Sequence, residues 1–172
     1  MGDNKTSRLN LKFSQMDQIE IIAYSDKYVE HFRILNYEWI EKFFEVEPTD
    51  EYILSNPVDT VINKGGLIYF AKCKNEIVGT FALIKVDSDT YELSKMAVTE
   101  NFQGRGIGRM LMDIAIQKAR ELDLVRIILY SNTDLGIAIT MYLNYGFRSV
   151  PISEFYYHRA NIKMELILKN NK

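Results

Sequence analysis

The six residues Gln103-Gly104-Arg105-Gly106-Ile107-Gly108 constrain this chain more than any other stretch. They follow a strand-like run, Tyr91 to Val98. They lead into Ile107, Met110, Leu111, Ile114, Ala115, Ala119 and Leu122, which recur at helical spacing. Backbone N–H groups at a helix start have no intrahelical partner, and the helix dipole adds partial positive charge there. Glycines let a ligand approach the backbone closely and permit positive φ. Such a junction is an anion site suited to a pyrophosphate, with Arg105 and Arg109 at its edge.

The remaining elements follow from changes of period. Ile19 to Ala23 is β-like, and Ser25 and Asp26 are candidate N-caps. Tyr28, Val29, Phe32, Leu35, Trp39 and Phe43 mark a first helix that ends before Pro48. Shorter helical pieces follow at Asp50 to Leu54 and Val58 to Lys64. Leu67 to Cys73, Ile77 to Val86 and Tyr91 to Val98 form an antiparallel meander, because only short turns join them. Arg126 to Tyr130 follows a strand–helix unit and is expected to pair parallel to the third meander strand. A shorter helix carries Ile137, Ala138, Met141, Tyr142 and Tyr145, with Gly146 as its C-terminal cap. Phe147 to Ile152 and Ile162 to Leu168 are the last strands. The fold class is α/β (α+β): a mixed, mostly antiparallel sheet of about six to seven strands, with helices on both faces. Residues 1–17 read as a flexible polar tail and residues 18–172 as one domain, which suits a chain of 172 residues.

Charge and composition remove several function classes. A net charge of −2, with no run of Lys or Arg, gives no reason to expect nucleic acid. No stretch reaches the length of a membrane span, and the polar start is no signal peptide. Met1-Gly2 with Thr6 fits the short myristoylation pattern only weakly. Cys73 is the only cysteine, so no internal disulfide forms; a reducing, cytoplasmic setting and a buried, inert thiol are expected. His31 and His158 lack metal-ligand spacing and read as surface or packing residues, so no metal is expected.

Two common phosphate loops fail at specific positions. A Walker A loop needs Lys and then Ser or Thr, and here Arg109-Met110 follows Gly108. A dinucleotide fingerprint needs a third glycine where Arg109 stands, and an acidic residue where the next strand ends in Tyr130-Ser131-Asn132. Gln103, Gly106 and Gly108 instead match a Gln/Arg-x-x-Gly-x-Gly/Ala signature, flanked by Glu92-Leu93-Ser94-Lys95-Met96-Ala97-Val98 upstream and Asn132, Ala138, Tyr142 and Gly146-Phe147 downstream. With these residues in this order, the chain resembles the GNAT acetyltransferase family over roughly residues 66–150.

The resemblance implies acetyl-CoA as cosubstrate and a fold in which the strand before the loop splays from its parallel neighbour. Met96, Ala97 and Val98 would offer backbone to the pantetheine arm. Gln103, Gly104, Arg105, Gly106, Ile107 and Gly108 would bind the pyrophosphate, with help from Arg109. Asn132 would contact the pantetheine, and Tyr142 would lie near the CoA sulfur as general acid. Glu92 is the candidate base, expected to share a face with Ser94, Met96 and Val98. Dimers are common among similar proteins, while no pattern here specifies one.

Plainer readings compete. Tyr142 can be a core tyrosine, Glu92 a structural carboxylate and Asn132 a turn former. On the acceptor side, Tyr37, Trp39, Phe43, Phe44, Glu41, Glu45 and Glu47, then Phe155, Tyr156 and Tyr157, would suit a small-molecule or peptide amine by charge and stacking. Trp39 and Phe43 also fit a core role, and the glutamates a solvated face. Function therefore divides three ways: an N-acetyltransferase, a non-catalytic acyl-CoA-binding domain of the same fold, or an interaction module whose loop merely caps a helix.

Overall fold

A computed structural model describes residues 19–154 and 156–169. The expected tail at 1–17 and Phe155 lie outside the described residues. The strands are β1 (Ile19–Ala23), β2 (Leu67–Cys73), β3 (Glu76–Lys85), β4 (Thr90–Val98), β5 (Arg126–Ser131), β6 (Arg148–Val150) and β7 (Ile162–Ile167). The helices are α1 (Val29–Phe43), α2 (Pro48–Ser55), α3 (Pro57–Thr60), α4 (Ile107–Glu121) and α5 (Gly136–Asn144). The strands form one seven-stranded sheet in the order β1-β2-β3-β4-β5-β7-β6. Every neighbouring pair is antiparallel except β4 and β5, which run parallel.

Alternating strand residues feed two cores. Val78, Phe81 and Leu83 of β3 pack with Leu111, Met112 and Ala115 of α4. Ile77 and Ala82 pack on the other face with Phe32, Leu35 and Ile40 of α1. Cys73 is a buried, free thiol. The strand expected over Phe147 to Ile152 shrinks to β6, because Phe147 still belongs to the end of α5. Its N–H donates to Tyr142 O at 3.0 Å, and Gly146 takes φ +92°. That bond and that φ make the αL helix stop in which glycine avoids a Cβ clash.

Two features of β4 shape the functional end of the sheet. Pairing with β5 covers only Thr90, Tyr91 and Glu92. Beyond Glu92 the β5-facing edge of β4 has no strand partner, so the parallel pair splays. On the other edge, Thr80 pairs with Ala97 and Ala82 with Ser94, so Phe81 faces two residues, Lys95 and Met96. This is a β-bulge, with Lys95 at φ +53°. An extra residue in one strand bends it and reverses its in–out alternation. Leu93 packs in the α4-side core, and after the bulge so do Met96 and Val98, while Ala97 packs on the α1 side. Glu92 and Ser94 therefore do not share a face with Met96 and Val98, contrary to the reading of an uninterrupted strand.

Candidate active site

The splay opens a cleft of about 230 Å³ between β4 and β5. Its walls include Glu92 to Val98 of β4, Tyr130 to Asn132 after the pairing ends, and Ala138 and Tyr142 of α5. Gln103 closes one end, where its side-chain amide donates to Val98 O at 2.9 Å. Beyond it, Gly104 and Gly106 take φ +72° and +83°, and Gly106 caps α4. No side chain caps the N–H groups of that first turn, so they point outward with the dipole behind them. A Cβ on Gly104 would meet nothing within 4 Å, so the loop surface is open to a ligand. Arg109 is exposed on the first turn of α4, whereas Arg105 packs over the Phe102 ring and donates to Asn101 O at 2.9 Å.

Tyr142 reaches the cleft from α5, with its ring 5.9 Å from that of Phe147. Burial pushes its phenol up to about 12, so the hydroxyl keeps its proton at neutral pH. Glu92 is recessed in the opposite wall. Burial raises its carboxyl, against the opposing pull of the Ser94 hydrogen bond and the Lys95 and Lys163 charges. A carboxyl raised in this way is suited to taking a proton there. Asn132 is committed to structure: its Nδ2 donates to Arg159 O at 2.7 Å and its Oδ1 accepts from Asp134 N–H at 2.8 Å. The turn-forming role is the one these bonds serve, although Asn132 also lines the cleft.

The end of the cleft beside Trp39 and Tyr157, where the sequence suggests an acidic, aromatic acceptor surface, differs from that expectation. Trp39, Phe43, Phe44 and Tyr157 do line it, and Phe43 is 57% exposed rather than core. Glu41 and Glu45 are exposed and outside the cleft wall. Glu47 is occupied: its carboxylate accepts from the backbone N–H groups of His158 and Arg159 at 2.9 and 3.0 Å. A buried network stands behind the wall. Lys95 Nζ lies 2.6 Å from Asp50 Oδ1 and donates to Tyr157 OH at 3.3 Å. Arg159 meets both Asp50 oxygens, Nη1 to Oδ2 at 2.5 Å and Nη2 to Oδ1 at 2.8 Å. Its guanidinium also lies 4.8 Å from the Tyr157 ring and 5.7 Å from the Trp39 ring. Asp50, fully buried, was missed in the sequence, and so was Arg159. Neither carries a motif, since their pairing joins residues far apart in the chain.

This geometry, a splayed parallel pair ending at a glycine loop, coincides with sequence and fold likeness. The profile of the acetyltransferase (GNAT) family matches residues 31–147. The chain belongs to that family. As a GNAT acetyltransferase it is 27% identical to YvbK, an uncharacterized N-acetyltransferase of Bacillus subtilis (strain 168), over 113 residues, which is 64% of this chain and 73% of YvbK. A GNAT acetyltransferase structure from Staphylococcus aureus Mu50 superposes with TM-score 0.80 and 27% identity, covering 88% of this chain and 99% of that one. A GNAT structure from Elizabethkingia anophelis with acetyl-CoA bound superposes with TM-score 0.61 and 24% identity, covering 88% and 99%. Among the described residues of this acetyltransferase, no helix is long and apolar enough to cross a membrane. Nor do those residues group three His, Cys, Asp or Glu side chains to hold a metal ion.

Proposed function

We propose that this GNAT acetyltransferase transfers an acetyl group from acetyl-CoA to a primary amine by direct attack in a ternary complex. One observation carries the reading: the unpaired edge of β4 lines a cleft that reaches Gln103, three residues before the Gly106 cap of α4 and its open first turn. An extended thioester arm can pair with such an edge as an added strand while its pyrophosphate meets the helix start. Met96, Ala97 and Val98 would face the arm. Gln103 to Gly108 would hold the pyrophosphate, with Arg109 at the rim, and Asn132 would border the pantetheine.

The acceptor arrives as an ammonium and has no lone pair until it loses a proton. Glu92 takes that proton, directly or through water. The amine nitrogen then bonds to the thioester carbon, and a backbone N–H on the splayed strand steadies the oxyanion. Collapse breaks the carbon–sulfur bond. Tyr142 gives the leaving thiolate its proton, and the surplus proton on nitrogen restores the phenol. Amide and free thiol form, with one proton released overall.

The test is thiol release from acetyl-CoA with a broad amine panel, beside the melting shift produced by CoA. Turnover on some amine supports the enzyme. A CoA-dependent shift without turnover on any amine supports the non-catalytic acyl-CoA-binding alternative, and absence of the shift removes both.

A further inference from the structure

Three charged side chains line the cleft among the described residues: Glu92, Lys95 and Arg159. The carboxylates that balance the two cations, Asp50 and Glu47, stand behind the wall and are bonded to it. Lys95 is spent as well, since its side chain is only 2% exposed and bonds Asp50 and Tyr157. Arg159 is different. Its Nη1 and Nη2 each give one hydrogen to Asp50, while among the described residues Nε–H makes no hydrogen bond. Nε–H and the second hydrogen of Nη2 lie along one edge of the planar guanidinium, a donor pair that fits a carboxylate. No buried side-chain nitrogen in the described residues lacks a partner, so the unbonded Nε is not sealed from solvent, and the Arg159 side chain, 14% exposed, lines the cleft. The rings of Trp39 and Tyr157 hold the guanidinium plane in place.

Resting on the acetyltransferase reading, we propose that the acceptor is an amine that also carries a carboxylate, of the amino-acid class. Its carboxylate docks on the Nε–Nη2 edge of Arg159, and its amine is turned toward Glu92. A polyamine fits poorly. Its several cations would need several free carboxylates, and the cleft wall offers Glu92 against two fixed cations.

Trp39 is the only tryptophan in the chain and lies beside Arg159, so its fluorescence reports acceptor binding without turnover. Matched sets are titrated into the CoA-loaded protein: leucine, leucinamide and isoamylamine, then equivalent sets with a small, an aromatic and an acidic side chain, and spermidine. The free amino acid of at least one set is expected to bind about tenfold or more tighter than its carboxamide and its decarboxylated amine. In Arg159→Lys, which keeps a cation for Asp50 but loses the edge, the preference is expected to vanish while the CoA melting shift persists. Equal binding across every set, tightest binding of spermidine, no binding by any amino acid, or a preference surviving in Arg159→Lys overturns the proposal. Carboxylate-selective binding with no thiol release would remove the catalytic reading and leave this one. Full-rate turnover of decarboxylated amines would do the reverse.

Discussion

Lys95 and Asp50 are separated by 45 residues, yet their charged atoms are 2.6 Å apart and their side chains are 2% and 0% exposed. The lysine stands at the bulge that opens the cleft, and the aspartate in the first turn of α2. Asn36 adds a second tie, donating from Nδ2 to Lys95 O at 3.3 Å. The bend of β4 is thus held by groups from α1 and α2, and it places a non-glycine residue in left-handed backbone.

Removing Asp50 strips Lys95 of its ion-pair partner and leaves Arg159 with Glu47, at 3.4 Å. Asp50→Ala is expected to lower stability by about 3–5 kcal/mol, read as a drop in chemical or thermal unfolding midpoint. Burial pushes this carboxyl up, but Arg159 and Lys95 together outweigh it and hold it below the usual value. A lowered carboxyl stabilises the fold above its unfolded-state value and loses that contribution as pH falls through the folded one. The wild type is therefore expected to lose stability on acidification below the ordinary carboxylate range. Asp50→Ala should lack that portion of the acid dependence. Equal acid curves for the two proteins would refute the assignment.

As the proposed base, Glu92 must be ionised to accept a proton, and burial raises its carboxyl. The pH profile of kcat/KM is therefore expected to rise in a lower step set by Glu92 and to fall at higher pH as the free acceptor ammonium, the form that binds, loses its proton. Glu92→Gln should erase the lower step and reduce the rate by about a hundredfold or more. Survival of the lower step in that variant would move the base elsewhere.

Tyr142 keeps its proton until about 12, so no falling limb from this group is expected in the working range. Tyr142→Phe should lower kcat by about a hundredfold with CoA affinity intact, measured by calorimetry beside steady-state rates. Unchanged turnover would leave Tyr142 as a packing residue against Phe147.

Gly106 holds φ +83° at the start of α4. An alanine there is expected to lower the stability of the unliganded fold by about 1–2 kcal/mol, since left-handed backbone disfavours a Cβ by that amount. The drop is read as a lower melting temperature without CoA, and an unchanged melting temperature would refute the assignment.

Element order was legible because period and punctuation agree along most of the chain. The glycine loop was legible because its chemistry is local: three glycines, a strand before them and a helical stripe after. The bulge left only a faint mark. Tyr91 to Ser94 alternates and the pattern breaks at Lys95, but no glycine or proline flags an extra residue there, so the run passes for regular strand and the face of Met96 and Val98 came out inverted. The acceptor end was hidden for another reason. Asp50 bonds Arg159 across 109 residues, and no local pattern encodes a contact of that span. Carboxylates that look like a free acidic surface in sequence are committed once the chain folds, as Glu47 is to the backbone of His158 and Arg159.

The Asp50 network also has an order in time. During synthesis the N-terminal partners leave the ribosome first. Asp50 emerges with α2, Lys95 follows with the bulged strand, and the loop and first turn of α4 come soon after. Arg159 is translated only after all of these. A nascent chain can thus hold the groups for the donor while the floor for the acceptor is still unmade. The last partner of one buried aspartate decides when the cleft becomes whole.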